Sequence, residues 1–424
     1  MPSPLLNFNQ IAFQEIMDNS DDAINDVIVD TIEQPANQVE NKSINNQVFD
    51  RRNMGFIKRW WLDIDKINFL IVIGIITFGL MMTASSSPAI AKRIDVEKFF
   101  FLKKQIIFAV ISISLLISIS FLNQERIKIV SIVGLFVVIG LLVLVLLFGS
   151  EAKGAKRWIS LGGFTLQPSE FAKAFFVIFN AYILQKFHFE KWQIKYGIST
   201  ALYFIIIILL LLQPDFGMTI TFTALWLVQI FVYGLPLSLI FAIGFAIMVG
   251  GVGAYIVFPH VEDRINKFLD SDEKNYQVER SIDAFVNGSF FGVGPGNGVV
   301  KKFIPDAHTD FIFAVVGEEY GIFACAVIVI VFAYLITRII KRALDEEDMF
   351  VYLALCGLMT QFAMQVIVNI GVSMRLLPTK GMTLPFISYG GSSMMSTAIC
   401  FGLILAFTKR KYHRDVDYGN MKLI

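Results

Sequence analysis

The sequence predicts an all-α integral membrane protein of ten transmembrane helices, with both termini cytoplasmic and a large extracytoplasmic loop between the seventh and eighth helices. Three observations predict it. Of 424 residues, 55% are hydrophobic and only 17% charged, with a mean hydropathy of +0.64, whereas soluble chains carry about a quarter charged residues. The apolar residues gather in runs that can each hold the roughly 20 helical residues needed to cross a bilayer. The main cationic clusters between and beyond these runs fall on one side when ten helices are counted.

The elements follow in order. Residues 1–53 read as an acidic, disordered cytoplasmic tail. In the first 50 residues nine acids (Glu15, Asp18, Asp21, Asp22, Asp26, Asp30, Glu33, Glu40 and Asp50) stand against Lys42 among many Asn and Gln, a composition that cannot bury enough surface to fold alone. The tail lacks the basic start and apolar core of a signal peptide. Leu5, Phe8, Ala12 and Ile16 recur at helical spacing and could dock on a partner, and Met54 is an alternative start, because Trp60 and Trp61 already supply an interfacial anchor. Residues 54–410 form the membrane domain and 411–424 a second cytoplasmic tail. Runs without Asp, Glu, Lys or Arg cover 67–91, 105–124, 129–150, 196–214, 320–337, 349–374 and 381–408. The run 216–259 is twice as long and is divided into two helices by a turn at Gly234-Leu235-Pro236. The tenth helix is 168–185, opened by Pro168 and interrupted by Glu170 and Lys173.

Orientation follows the cations. Clusters at Arg51, Arg52, Lys58, Arg59, at Arg338, Lys341, Arg342 and at Lys409, Arg410, Lys411, Arg414 suit the cytoplasmic side, against an opposing group at Lys92, Arg93, Lys98, Lys103 and Lys104. Three longer connections, 149–167, 259–309 and 373–388, then share the outer face. Several function classes are excluded. A net charge of +1 leaves no basic domain for nucleic acid, and Cys325, Cys356 and Cys400 lie in apolar runs, unsuited to a disulfide framework or a CxxC site. His188, His260, His308 and His413 are too scattered for a metal cluster.

Ionisable groups inside hydrocarbon are costly and so mark candidate sites. Glu170 and Lys173 can pair three residues apart on one helix. Asp215, in Gln213-Pro214-Asp215-Phe216-Gly217, is placed to cap the following helix. His308-Thr309-Asp310 stands where the large loop re-enters the membrane, with Glu318 and Glu319 two turns on. A carboxylate at such a mouth suits a general base, and a helix cap is the structural alternative for Asp310. Gln361, Gln365 and Asn369 form a polar stripe that interhelical hydrogen bonding explains. The Gly-rich run 288–298 lacks the context of a phosphate loop and reads as a flexible or re-entrant loop. These residues alone fit a transporter as well as an enzyme.

Five motifs in order narrow that choice. They are Gly154-Ala155-Lys156-Arg157-Trp158-Ile159, Gln167-Pro168-Ser169-Glu170-Phe171-Ala172-Lys173, Gln213-Pro214-Asp215-Phe216-Gly217, Pro305-Asp306-Ala307-His308-Thr309-Asp310-Phe311 with Gly317-Glu318-Glu319, and Leu377-Pro378-Thr379-Lys380-Gly381 running on to Ser388-Tyr389-Gly390-Gly391-Ser392-Ser393. From about residue 54 to 410 the chain resembles the SEDS family of bacterial cell-wall polymerases, and its Pro-Thr-Lys-Gly and Asp-Ala-His-Thr-Asp forms resemble the division-type branch more than the elongation-type branch. The resemblance implies an inverting peptidoglycan glycosyltransferase that polymerises lipid II, a disaccharide-pentapeptide on undecaprenyl pyrophosphate, at the outer face of the cytoplasmic membrane, at the division septum. It implies Asp310 as the catalytic residue. Arg157, Trp158, Glu170, Lys173, Asp215, His308, Thr309, Lys380 and Ser388 are implied around the substrate or cavity, with Arg157, Lys173, Lys380 or a divalent cation (magnesium or manganese) neutralising the leaving pyrophosphate. The implied partners are a class B penicillin-binding protein transpeptidase, division-complex proteins and membrane lipid. Two features depart from the family pattern, the acidic tail and Arg280, which stands where many members carry Gln. A lipid II flippase, an elongation-type polymerase and a non-catalytic scaffold are the competing readings.

Overall fold

The computed structural model describes residues 55–409, except 153–154, 163, 258, 260–261, 263–265, 267–275 and 379–380. The acidic tail with its Leu5, Phe8, Ala12 and Ile16 stripe, the Met54 alternative, and residues 411–424 lie outside the described residues. The helices are α1 (Phe56–Asp63), α2 (Lys66–Arg93), α3 (Phe100–Ser120), α4 (Gln124–Phe148), α5 (Pro168–Lys186), α6 (Trp192–Leu212), α7 (Phe216–Val232), α8 (Leu237–Val257), α9 (Tyr276–Gly288), α10 (Ile312–Leu344), α11 (Met349–Ser373) and α12 (Gly391–Phe407). Seven of them (α2, α3, α4, α6, α8, α10 and α11) are long and apolar enough to cross a membrane, while α7 and α12 are apolar but shorter. The 19-residue α5 holds the charged Glu170 and Lys173.

Local signals explain the helix ends. Asp65 opens α2 by accepting from Ile67 N and Asn68 N, Asn123 opens α4 through Arg126 N, Asp348 opens α11 through Phe350 N and Val351 N, and Pro168 occupies the first turn of α5. Asp65 serves twice, because Arg338 of α10 also grips it from Nη2 at 3.0 Å and Nε at 3.2 Å. That bond joins the N-cap of α2 to the C-terminal part of α10.

The centre of the bundle is α5, whose Ala172, Ala174, Phe176, Val177, Ile178, Ala181 and Leu184 are fully buried. Four polar side chains that reach this layer are paired in a chain, as a medium without water favours, whereas the buried Gln361 amide of α11 has no hydrogen-bond partner among the described residues. Ser199 Oγ donates to Asn180 Oδ1 at 2.7 Å, Asn180 Nδ2 to Gln229 Oε1 at 3.0 Å, and Trp226 Nε1 to Ser199 Oγ at 3.1 Å.

The fold is not purely helical. The connection after α4 forms an antiparallel meander of β1 (Ser150–Ala152), β2 (Ala155–Leu161) and β3 (Phe164–Leu166), with Trp158 opposite Ser150 and Ile159 opposite Leu166. A segment leaving the bundle must pair its amides somewhere, and here it pairs them with itself. Helix α10 also departs from expectation, because Gly321 (φ 80°, ψ 178°) breaks it.

The three longer connections meet at one end of the bundle. Ser392, at the start of α12, donates to the Thr165 carbonyl of β3 at 3.2 Å, and Ser388 donates to the Thr309 carbonyl at 2.6 Å. Gly79 of α2 lets this junction close, since a Cβ there would collide with the Phe386 carbonyl and Ile387 Cα. Replacing it with Val (Gly79→Val) overpacks the contact and is expected to cost about 2 kcal/mol, read as a fall of several degrees in Tm of the detergent-purified protein; an unchanged Tm refutes this account of the contact.

Candidate active site

The site is built on a turn that α10 cannot absorb. Asp306 adopts a left-handed conformation (φ 55°), and its carbonyl accepts from Thr309 N at 3.0 Å, Asp310 N at 3.1 Å, Phe311 N at 3.4 Å and Thr309 Oγ1 at 3.1 Å. Four donors on one oxygen knot Asp306 through Phe311 into a fixed loop ahead of α10. The N-cap of α10 is Phe311, without a side-chain cap bond, so Asp310 is not the helix cap that its position also allowed. Its half-buried carboxylate faces Gly381, where a Cβ would stand 3.1 Å from Oδ2.

The motif around Ser388 holds this turn from the other side. Asn369 Nδ2 donates to the Asp310 carbonyl at 2.9 Å and to the Met382 carbonyl at 2.6 Å. Ser388 Oγ accepts from Leu384 N at 2.8 Å besides donating to Thr309, Tyr389 N donates to the His308 carbonyl at 2.8 Å, and Gln105 Nε2 donates to the Ser388 carbonyl at 3.1 Å. His308, Thr309, Asp310 and Ser388 are thus brought together. Asn369, read in the sequence as an interhelical bond, spends its amide on the site itself.

His308 is buried between Phe101 and Tyr389, with ring centroids 4.5 and 5.1 Å away. Burial lowers its pKa from the ordinary imidazole value to about 4, with Asp306 opposing the shift. The ring is neutral at neutral pH and packs rather than exchanging protons.

Other implied residues form separate pairs. Arg157 on β2 places Nε 3.7 Å from Asp215 Oδ2 and donates from Nη2 to the Pro214 carbonyl. Asp215 also caps α7 by accepting from Met218 N at 3.1 Å, so its structural role and its cation contact coexist. Trp158 is half-buried on the same strand. Lys173 Nζ donates to Glu170 Oε2 at 2.8 Å within α5, and the lysine is fully buried. The first turns of α12 link these groups toward the Asp310 turn: Ser396 Oγ donates to the Glu170 carbonyl at 2.6 Å, Ser392 Oγ accepts from Gln167 N at 3.0 Å, and Ser393 Oγ accepts from Gln365 Nε2 at 3.0 Å. Thr379 and Lys380 lie outside the described residues.

Glu318 and Glu319 are not available as bases. Glu318 accepts from Asn287 Nδ2 at 3.0 Å, Val299 N and Val300 N at 2.7 Å, and Lys301 N at 2.8 Å. Glu319 pairs with Lys301 Nζ and accepts from Ser85 Oγ of α2. Sequence reading missed Lys301, Ser85, Gln105 and the serines of α12 as parts of this framework. The one visible signal was the Ser85-Ser86-Ser87 run inside an apolar helix.

With this geometry in place, comparison with known proteins is informative. The family described as cell cycle protein, that of FtsW, RodA and SpoVE, matches residues 66–413. A probable peptidoglycan glycosyltransferase FtsW of Caulobacter vibrioides is 36% identical over 377 residues, covering 87% of this chain and 95% of that protein. A second, from Trichlorobacter lovleyi, is 35% identical and covers 80% and 92%. Among solved structures, a chain from a peptidoglycan synthase complex that coordinates polymerization and crosslinking superposes with a TM-score of 0.70 at 27% identity, covering 82% of this chain and 98% of that one. The rod shape determining protein RodA of Thermus thermophilus gives 0.62 at 26% identity, covering 82% and 97%.

The buried imidazole yields a pH test. Because the folded pKa of His308, about 4, lies below the unfolded value, the unfolded chain takes up the proton first as pH falls. Stability is therefore complete above the unfolded value of about 6.5 and declines toward pH 4, by up to about 3 kcal/mol. Thermal unfolding between pH 7.5 and 5 should show this slope, and His308→Phe should flatten it; an unchanged slope in the variant assigns the loss to other groups.

Proposed function

Because the chain belongs to the FtsW, RodA and SpoVE family of cell cycle proteins and carries, among the described residues, seven helices long and apolar enough to cross a membrane, we propose that this multi-pass membrane protein is a peptidoglycan glycosyltransferase that polymerises lipid II for septal wall synthesis. In this reading ten helices cross the cytoplasmic membrane, both termini face the cytoplasm, and the Asp310 turn opens on the outer face. The observation that carries it is the position of Asp310, which stands ahead of the α10 cap at Phe311 in a turn held at both flanks by Asn369, Ser388 and the Asp306 carbonyl.

The Asp310 carboxylate takes the proton from the 4-hydroxyl of the acceptor GlcNAc. That oxygen bonds to the anomeric carbon of the donor MurNAc with inversion, and the bond to the lipid pyrophosphate breaks. A base fixed in position lowers the barrier both by proton transfer and by orientation, and the knotted turn supplies the orientation. Leaving-group charge falls to cations around the junction. Arg157 suits this role, because its guanidinium has N–H groups beyond those it spends on Pro214, whereas Lys173 is already paired with Glu170 and shapes the bundle interior. Lys380, next to Gly381, is the third candidate. Among the described residues no three His, Cys, Asp or Glu side chains gather as a metal cage, so a magnesium or manganese ion here would share ligands with the substrate's phosphates. Likeness to a chain from a polymerising and crosslinking synthase complex supports a class B penicillin-binding protein transpeptidase as partner, and the FtsW relatives support the division complex and the septum.

The test is polymerisation of purified lipid II by the protein with its transpeptidase partner, native against Asp310→Asn, read as glycan length on a gel. The variant is expected to lose at least about a hundredfold in rate while remaining folded and partner-bound. Equal product from both removes Asp310 from the chemistry. No product from either, with lipid II crossing vesicle membranes, makes the protein a flippase.

A further inference from the structure

The break in α10 at Gly321 is filled by the Gly-rich loop that follows α9. Val293 N and Gly294 N donate to the Glu318 and Glu319 carbonyls at 3.0 Å each, and Ile322 N and Phe323 N donate to the Ser289 and Phe290 carbonyls at 3.0 and 3.3 Å. Backbone groups freed by the break are thus paired again, which is the condition for irregular backbone at membrane depth. The side chains of the same segment point the other way. Phe290 is 70% exposed, Phe291 86%, Ile322 52% and Phe323 68%, and the backbone bonds make them neighbours on one apolar surface.

Two helices measure the depth of that surface. The Asp65–Arg338 pair, with Lys341 and Arg342 just beyond, marks the inner boundary of the hydrocarbon. Ser85, which meets Lys301 and Glu319, stands about twenty residues along α2 from Asp65, a rise of roughly 30 Å, and so at the outer boundary of a ~30 Å layer. Phe323 stands about fifteen residues from Arg338 along α10, roughly 22 Å from the inner boundary, and Phe290 is bonded to it. Both lie below the outer boundary. The charged groups nearest this segment, Glu318, Glu319 and Lys301, are buried on its protein side.

We propose that Phe290, Phe291, Ile322 and Phe323 form a lipid-binding surface immersed among the acyl chains of the outer leaflet. Acyl chains are the occupant because the surface is apolar, its backbone is already paired, and at that depth whatever protein does not cover meets lipid. The immersed loop runs directly into Lys301 and then the Asp310 turn, and so ties the level of that turn to the membrane. The inference rests on α10 crossing the membrane and stands or falls apart from the catalytic reading.

The test is electron paramagnetic resonance of a nitroxide on Phe291→Cys and, separately, on Phe323→Cys. Each full-length variant is placed in vesicles of phosphatidylethanolamine and phosphatidylglycerol. The labelled native chain gives the background of Cys325, Cys356 and Cys400, and Glu97→Cys calibrates a water-exposed position. Immersion predicts collision with oxygen several-fold more effective than with a water-soluble nickel chelate at both sites. Collision with nickel as strong as at Glu97 places the loop in water and overturns the proposal. Low access to both reagents means that a partner or a second copy covers the surface, and overturns it equally. Two separate sites keep the test decisive if one variant fails to fold.

Discussion

A bilayer interior offers no water to a broken backbone, and this constraint organises the architecture around the site. A site needs irregular chain, and irregular chain exposes amides and carbonyls. The protein meets the demand with a few oxygen atoms that each serve several donors. The Asp306 carbonyl gathers four donors in the motif turn, and the Glu318 carboxylate gathers four in the loop after α9. Each fixes a loop that hydrophobic packing alone would leave loose.

The buried and half-buried ion pairs follow a similar economy. Lys173 with Glu170, Lys301 with Glu319 and Arg338 with Asp65 each offset a desolvation cost that apolar residues would not incur, so net stabilisation is a weak explanation for them. Their geometry offers a better one. The Arg338 and Lys301 pairs tie α2 to α10 and its preceding loop at opposite ends, which sets the register of two long helices that apolar contacts could let slide. The Lys173 pair lies within one helix and instead keeps two charges compatible with the centre of the bundle.

The helices were legible because crossing a membrane demands long apolar runs, and every expected run contains a helix, although in the run 381–408 only Gly391–Phe407 is helical. The motif resemblance pointed to Asp310, and spacing alone foresaw the Glu170–Lys173 pair and the cap at Asp215. The rest was hidden for physical reasons. Ser85, Lys301 and Glu319 lie up to 234 positions apart in the chain and become one cluster only after folding. The β-meander has strands of three to seven residues, too short for alternation to be read. Gly321 resembles any other glycine in an apolar helix until the Gly-rich loop docks on it. Nothing near Glu318 and Glu319 in the sequence marks the amides that bind the first or the lysine that pairs with the second.

Helix α12 has only 17 residues, about 26 Å of rise, a few ångströms short of the ~30 Å hydrocarbon layer. In the proposed ten-helix reading, the polar turn that precedes it, with Gly381, Ser388 and the neighbouring Asp310, is drawn down to the headgroup level instead of standing clear of the membrane. A substrate carried on a lipid has its phosphates at that same level. Such a substrate can reach the carboxylate by lateral diffusion in two dimensions, without lifting its tail from the bilayer.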